Sequence, residues 1–267
     1  MTGCCVDVVL MERAISASSG STSTLTCRFV VVALFNESID AEPKNSLVFF
    51  DSTLLHSTHN LPPFYKVMCE RIWGQVLNMV WCPSSDSMLI SSQRREGLNI
   101  RVQSGSIWKV PMSCHNDFAP CSAAVRIVYE KPGIFRSMAI NDDEKVLAIS
   151  ALDDGKNFVV DLYCIESGNR LFTISEGRSV GGWSISTLWY PRGLCFDQRN
   201  RLYIVDEAAR VQRFNLQQRR WQATVNDAEF DSPESLIVVG SHLFVLGSQR
   251  ALTKNIQGGY LTVFSLD

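Results

Sequence analysis

The chain has 267 residues, 46% of them hydrophobic and 19% charged, with a formal net charge of −2. That length can bury a substantial core, either as one all-β domain or as two smaller ones. The near-neutral balance excludes a global basic field of the kind that draws a protein to nucleic acid or anionic lipid.

From the start of the chain, MTGCCVDVVLMER carries Asp7 and Glu12 and lacks a basic run ahead of an apolar core, so neither a secretory signal nor a transit peptide is expected. Cys4 and Cys5 read as strand thiols rather than palmitoylation sites. Cys5–Met11 reads as a spare strand, and SASSGSTST from Ser16 to Thr24 as a loop. RFVVVALF at Arg28 and SLVFFD at Ser46 follow as second and third strands, while their first strand lies somewhere between Met11 and Thr26. Phe29–Phe35 is about a third of the length that spans a bilayer, so no membrane partner is expected.

Four later windows repeat one pattern: NMVWCPSSDSMLISS from Asn78, RSMAINDDEKVLAIS from Arg136, RGLCFDQRNRLYIVD from Arg192 and ESLIVVGSHLFVLGS from Glu234. Each is an apolar strand, a polar turn and a second apolar strand. The turns hold Asp86, Asp142, Asp143, Asp197 and Asn200, or Gly240, residues that tolerate left-handed backbone. Third strands follow as LNIRV at Leu98, FVVDLYC at Phe158, RVQRF at Arg210 and YLTVFSL at Tyr260. Fourth strands follow as IWKV at Ile107, RLFTI at Arg170 and RWQATV at Arg220. The period-two alternation argues for strands throughout. Second strands begin near Phe29, Met88, Val146, Leu202 and Leu243, which makes five units of about four strands. A sheet of this kind has two apolar faces and buries both only by stacking on its neighbours around an axis. The spare strand Cys5–Met11 would complete the last unit and close the ring.

The nine cysteines, Cys4, Cys5, Cys27, Cys69, Cys82, Cys114, Cys121, Cys164 and Cys195, are odd in number and irregular in spacing. Several sit inside apolar runs. Reduced, buried thiols in an intracellular, cytoplasmic protein fit this better than a disulfide framework.

Pro191, Gly193, Leu194, Phe196, Asp197, Leu202, Tyr203, Val205, Asp206, Arg210, Val211, Gln212 and Phe214 together resemble one NHL repeat. The stretch departs from that pattern at Asn200, where the family prefers Gly, and lacks the usual Asn before Arg210. The windows at Asn78 and Arg136 look more like WD40 blades, without their Gly-His or Trp-Asp signatures. The resemblance implies a β-propeller covering residues 1–267 as one domain, of five blades with six as the alternative, closed by the N-terminal strand. It also implies a rigid disc whose loops bind partners.

Six-bladed propellers of the gluconolactonase type resemble the same stretch, and would imply a metal-dependent hydrolase with an Asn ligand in a Pro-Asn-Gly triplet. Here the triplet is Pro191-Arg192-Gly193, with a cation in place of the ligand. No Gly-x-Ser-x-Gly, P-loop, His-Glu-x-x-His or Cys-x-x-Cys occurs, and His56, His59, His115 and His242 read as loop histidines. No catalytic residue, metal or cofactor is therefore expected. The role that remains is a noncatalytic scaffold that binds proteins as a subunit of a larger assembly. Its partner-binding residues are Trp183, Trp189 and Arg192, around the Gly-rich SVGGWSISTLWYP. The alternative is an RNA-binding surface of Arg213, Arg219, Arg220 and Trp221, by phosphate contact and stacking.

Overall fold

The computed structural model describes residues 4–16, 24–36, 44–51, 65–68, 75–95, 102–111, 125–131, 135–152, 157–175, 188–208, 210–226, 232–249 and 258–266. The chain divides into two compact units, Met1–Lys131 and Pro132–Asp267.

The first unit holds two four-stranded antiparallel sheets. Strands β1 (Cys4–Ser16), β2 (Thr24–Asn36), β3 (Lys44–Asp51) and β4 (Tyr65–Met68) form the first, in chain order. Strands β5 (Gln75–Cys82), β6 (Ser87–Arg95), β7 (Val102–Pro111) and β8 (Val125–Lys131) form the second. Two expectations are corrected here. Cys5–Met11 belongs to β1 and pairs with β2, from Cys4 opposite Phe35 to Ser16 opposite Thr24, so it is the first strand of the first sheet. Ile107–Val110 is the middle of the third strand, not a fourth, with Trp108 opposite Ile90. The fourth strand is β8, which the sequence reading passed over. Both LNIRV and IWKV alternate with period two, and pattern alone does not say which pairs with β6. Ile107 decides it by being fully buried, and the Trp108 indole Nε1 donates to Ser92 Oγ at 2.9 Å. Of LNIRV, residues 98–101 lie outside the described residues.

The second unit holds three sheets. The third sheet is β9 (Met138–Ile140), β10 (Val146–Leu152), β11 (Phe158–Cys164) and β12 (Arg170–Ile174). The fourth is β13 (Pro191–Phe196), β14 (Arg201–Asp206), β15 (Arg210–Asn215) and β16 (Arg220–Asn226). The fifth has three strands, β17 (Ser232–Val239), β18 (His242–Gln249) and β19 (Gly258–Ser265). These strands fall where the repeat places them.

Alternation along β14 shows why the sheets stack. Leu202 and Ile204 enter one core with Ala148, Val160 and Leu162 of the third sheet. Tyr203 and Val205 enter another with Leu236, Leu243 and Val245 of the fifth. A strand whose successive side chains are both buried needs a neighbour on each face.

The turns follow the expected chemistry with one change. Asp86, Asn200 and Gly240 take positive φ of 45°, 57° and 60°. In the third sheet Glu144 does so, at 52°, rather than Asp142 or Asp143. Asn141 makes that turn by accepting from the Lys145 and Val146 amides at 3.0 and 2.7 Å. Its Nδ2 also donates to Asn200 Oδ1 at 3.0 Å, tying this turn to the matching turn of the fourth sheet. The left-handed backbone of Asn200 explains why a related repeat prefers Gly there. Cys82 and Cys195 are buried and in no disulfide, as read from the apolar runs around them. Burial, and next the charge of Asp197, pushes the Cys195 thiol up.

Candidate functional site

The polypeptide enters the fourth sheet through Leu188, Trp189 and Tyr190. Leu188 is buried in the core, whereas Trp189 is 58% exposed. Trp189 is held from beneath by its backbone. Its amide donates to Asp206 Oδ2 at 3.1 Å, and its carbonyl accepts from the Glu207 amide at 2.9 Å. Asp206 is fully buried and also takes Arg210 Nε at 3.0 Å and Gln212 Nε2 at 2.9 Å. Burial pushes its carboxyl above the usual carboxylate range, and the hydrogen bond and charge of Arg210 oppose that shift.

Tyr190 has φ of 56°, a conformation that costs a bulky residue on the order of 1–3 kcal/mol and persists only where its surroundings hold it. Those surroundings are specific. The guanidinium carbon of Arg136 lies 4.5 Å from the Tyr190 ring centroid, and that of Arg192 lies 5.0 Å away. The Phe158 ring meets Tyr190 edge-on at 4.5 Å. A cavity of about 80 Å³, lined by Arg136, Ala151, Leu152, Phe158, Tyr190 and Pro191, opens beside the ring.

Arg192 is aimed by a bulge. Pairing of β13 with β14 skips from Pro191 to Gly193, leaving Arg192 as the extra residue. Such insertions redirect a side chain without ending the ladder. Its guanidinium forms an ion pair with Glu207, Nε donating to Oε1 at 3.0 Å, and only a quarter of its side chain is exposed. Burial, and next the charge of Arg192, pulls the Arg136 guanidinium below its ordinary value, with Glu207 opposing.

Of the residues expected to bind a partner, Trp189 and Arg192 both meet Glu207, one through its carbonyl and the other through its guanidinium, and Trp183 lies outside the described residues. Arg136, Phe158, Tyr190 and Glu207 were missed. One signal was present: Arg136 and Arg192 are the first residues of two successive repeat windows, and the fold delivers both to one ring. Nothing in sequence marks Tyr190, because a residue before proline is ordinarily extended.

The residues of the RNA alternative are spread over the fourth sheet. Arg213 lies opposite Tyr203 and bonds its hydroxyl, on the face that meets the fifth sheet, and its Nε is buried without an acceptor. Trp221 packs edge-on to Phe214 at 5.3 Å, on the face that meets the third sheet. Arg219, at a φ of 50°, stacks over Phe172 of the third sheet at 5.0 Å. Arg220 Nε donates to Gln218 at 2.8 Å. Among the described residues, no three His, Cys, Asp or Glu side chains converge as metal ligands. No helix among them is long and apolar enough to cross a membrane.

No family model matches the sequence, and no curated protein does. Solved structures do. The chain is similar to one in the crystal structure of a nidogen/laminin complex, with a TM-score of 0.57 and 13% identity over 89% of this chain and 72% of that one. It is also similar to the Pan2 WD40 domain of Neurospora crassa, with a TM-score of 0.51 and 10% identity over 89% of this chain and 59% of that one. The fold is that of a β-propeller. This propeller also aligns with the RRP9 WD40 repeats, with a TM-score of 0.45 and 16% identity over 66% of its own length, and spans 47% of that chain.

Proposed function

We propose that this propeller is a noncatalytic interaction module, one domain of five blades, that joins a larger assembly by binding a protein partner at Trp189 and Arg192. The exposed Trp189 side chain, mounted on the braced Tyr190, carries this reading. Tryptophan, tyrosine and arginine dominate the energetics of protein interfaces. Holding them in place before binding lowers the ordering cost of association. The cavity beside Tyr190 takes a short aliphatic side chain of the partner. Trp183, six residues before Trp189 in the sequence, is assigned to this surface on sequence grounds.

The test is affinity capture from the native source with quantitative mass spectrometry, wild type against Trp189→Ala. A defined partner set should fall at least about tenfold, the scale of a residue that matters to an interface, while the melting temperature stays put. Unchanged recovery would refute the reading. Arg192→Ala should lower both recovery and melting temperature, because Arg192 also braces Tyr190 and pairs with Glu207.

A further inference from the structure

The arginines of the fourth sheet are of two kinds. Arg201 and Arg210 pair with the carboxylates of Asp197 and Asp206. Arg213 and Arg220 make no ion pair among the described residues.

Strand register brings the second kind together. Arg201, Asn215 and Arg220 lie opposite one another in a row across β14, β15 and β16, and Tyr203 and Arg213 lie opposite one another in the next row. Residues two apart along a strand share a face. Arg213 and Arg220 are therefore diagonal neighbours on one face, with backbones about 7–8 Å apart. Phe214 and Trp221, which alternate with them, lie on the other face, against the third sheet. Both turns at this end of the strands, 197–200 and 216–219, lie within the described residues.

The donors of this pair are only partly used. Arg213 donates to the Tyr203 hydroxyl, yet its Nε is buried without an acceptor. Arg220 is exposed, and its Nε donates to Gln218 at 2.8 Å. Like charges set side by side repel, and a buried donor without an acceptor carries a desolvation cost. A group with nearly two negative charges and three acceptor oxygens relieves both.

We propose that Arg213 and Arg220 bind a phosphate monoester, whether carried on a protein side chain or free. Guanidinium forks match phosphate oxygens in geometry as well as in charge. Arg213 supplies the buried donor, and its bond to the Tyr203 hydroxyl fixes it before the anion arrives. Nucleic acid is the poorer fit. Single strands are held by bases stacked on aromatic rings as well as by phosphate contacts, and Phe214 and Trp221 belong to the opposite face. The pair lies at the Arg201 end of the six-residue β14, whereas Trp189 is gripped at its Asp206 end. The two surfaces therefore stand or fall separately.

The test is titration of the 267-residue chain with sodium phosphate and with a phosphoserine pentapeptide at constant ionic strength, followed by NMR of the arginine Nε–Hε signals. The Arg213 signal, assigned by its loss in Arg213→Lys, should shift saturably over about 0.1 to 50 millimolar, and not with sodium chloride. Arg220→Gln changes an exposed side chain, should leave circular dichroism unchanged, and should weaken binding at least about tenfold. Arg219→Gln, over Phe172 on the opposite face, should bind as the wild type does, and so should Trp189→Ala. Tighter binding of the phosphopeptide assigns the phosphate to a protein side chain, and tighter binding of inorganic phosphate assigns it to a free anion; both uphold the site. No saturable shift overturns the proposal. So does an equal shift with chloride or with the unphosphorylated peptide, undiminished binding by Arg220→Gln, lost binding by Arg219→Gln or Trp189→Ala, or tighter binding of a single-stranded oligonucleotide.

Discussion

The fourth and fifth sheets share a plan and are held in different ways. Both begin with a bulged strand, where Arg192 is the extra residue in one and Glu234 in the other. Both then turn through a left-handed residue, Asn200 or Gly240. In the fourth sheet the turns are organised around buried carboxylates. Asp197 takes the Arg199 and Arg201 amides, each at 2.9 Å, and Asp206 gathers Trp189, Arg210 and Gln212. The described part of the fifth sheet has one carboxylate, Glu234, which accepts from Ser248 Oγ at 3.1 Å. It relies instead on Leu236, Leu243 and Val245 packed against the fourth sheet, and leaves Ile237, Val239 and Leu246 exposed. Buried charge holds loop residues in one place and so presents a site. Apolar packing on one face holds a sheet and leaves its other face to whatever comes.

The largest effect should come from the carboxylate. Asp206→Ala would remove the buried ion pair that Asp206 makes with the mostly buried Arg210, and release the Trp189 amide. A loss of about 3–5 kcal/mol is expected in urea unfolding. A loss under about 1 kcal/mol would mean that packing alone holds both sheets. An intermediate effect is expected where the two sheets touch. A Cβ on Gly193 would come within 2.7 Å of Leu236 Cδ2 and 3.0 Å of the Ser235 Cα, and backbone cannot swing aside as a side-chain tip can. Gly193→Ala should therefore cost about 1–3 kcal/mol, and a neutral result would contradict the close approach. The smallest effect belongs to the outer face of the fifth sheet. Ile237 is 58% exposed, so Ile237→Ser should change stability by no more than about 0.5 kcal/mol. A large loss by the same measurement would show that face to be covered in solution.

The repeat was legible because a strand with two buried faces leaves near-continuous apolar runs, as in Leu202–Val205, and its turns need residues such as Asn200 and Gly240. The order of strands was less legible. LNIRV and IWKV alternate equally well, and only pairing to β6 chose Ile107. The first sheet shows the same limit: Cys5–Met11 was plainly a strand, yet alternation does not name its neighbour, which is β2. At the site, Trp189 and Arg192 were readable as an aromatic and a cation in a loop. Glu207, Arg136 and Phe158 were not, since they reach Tyr190 from distant segments of the chain.

By itself, then, the sequence determined that the chain is all-β, that its sheets repeat, and where most of the strands of the second unit lie. These are local matters of alternation and turn chemistry, settled within a dozen or so residues. Tertiary structure alone decided which strand lies beside which, and that two guanidiniums from successive repeats share the Tyr190 ring. Such contacts join residues far apart in the chain, and no local pattern encodes the distance between them.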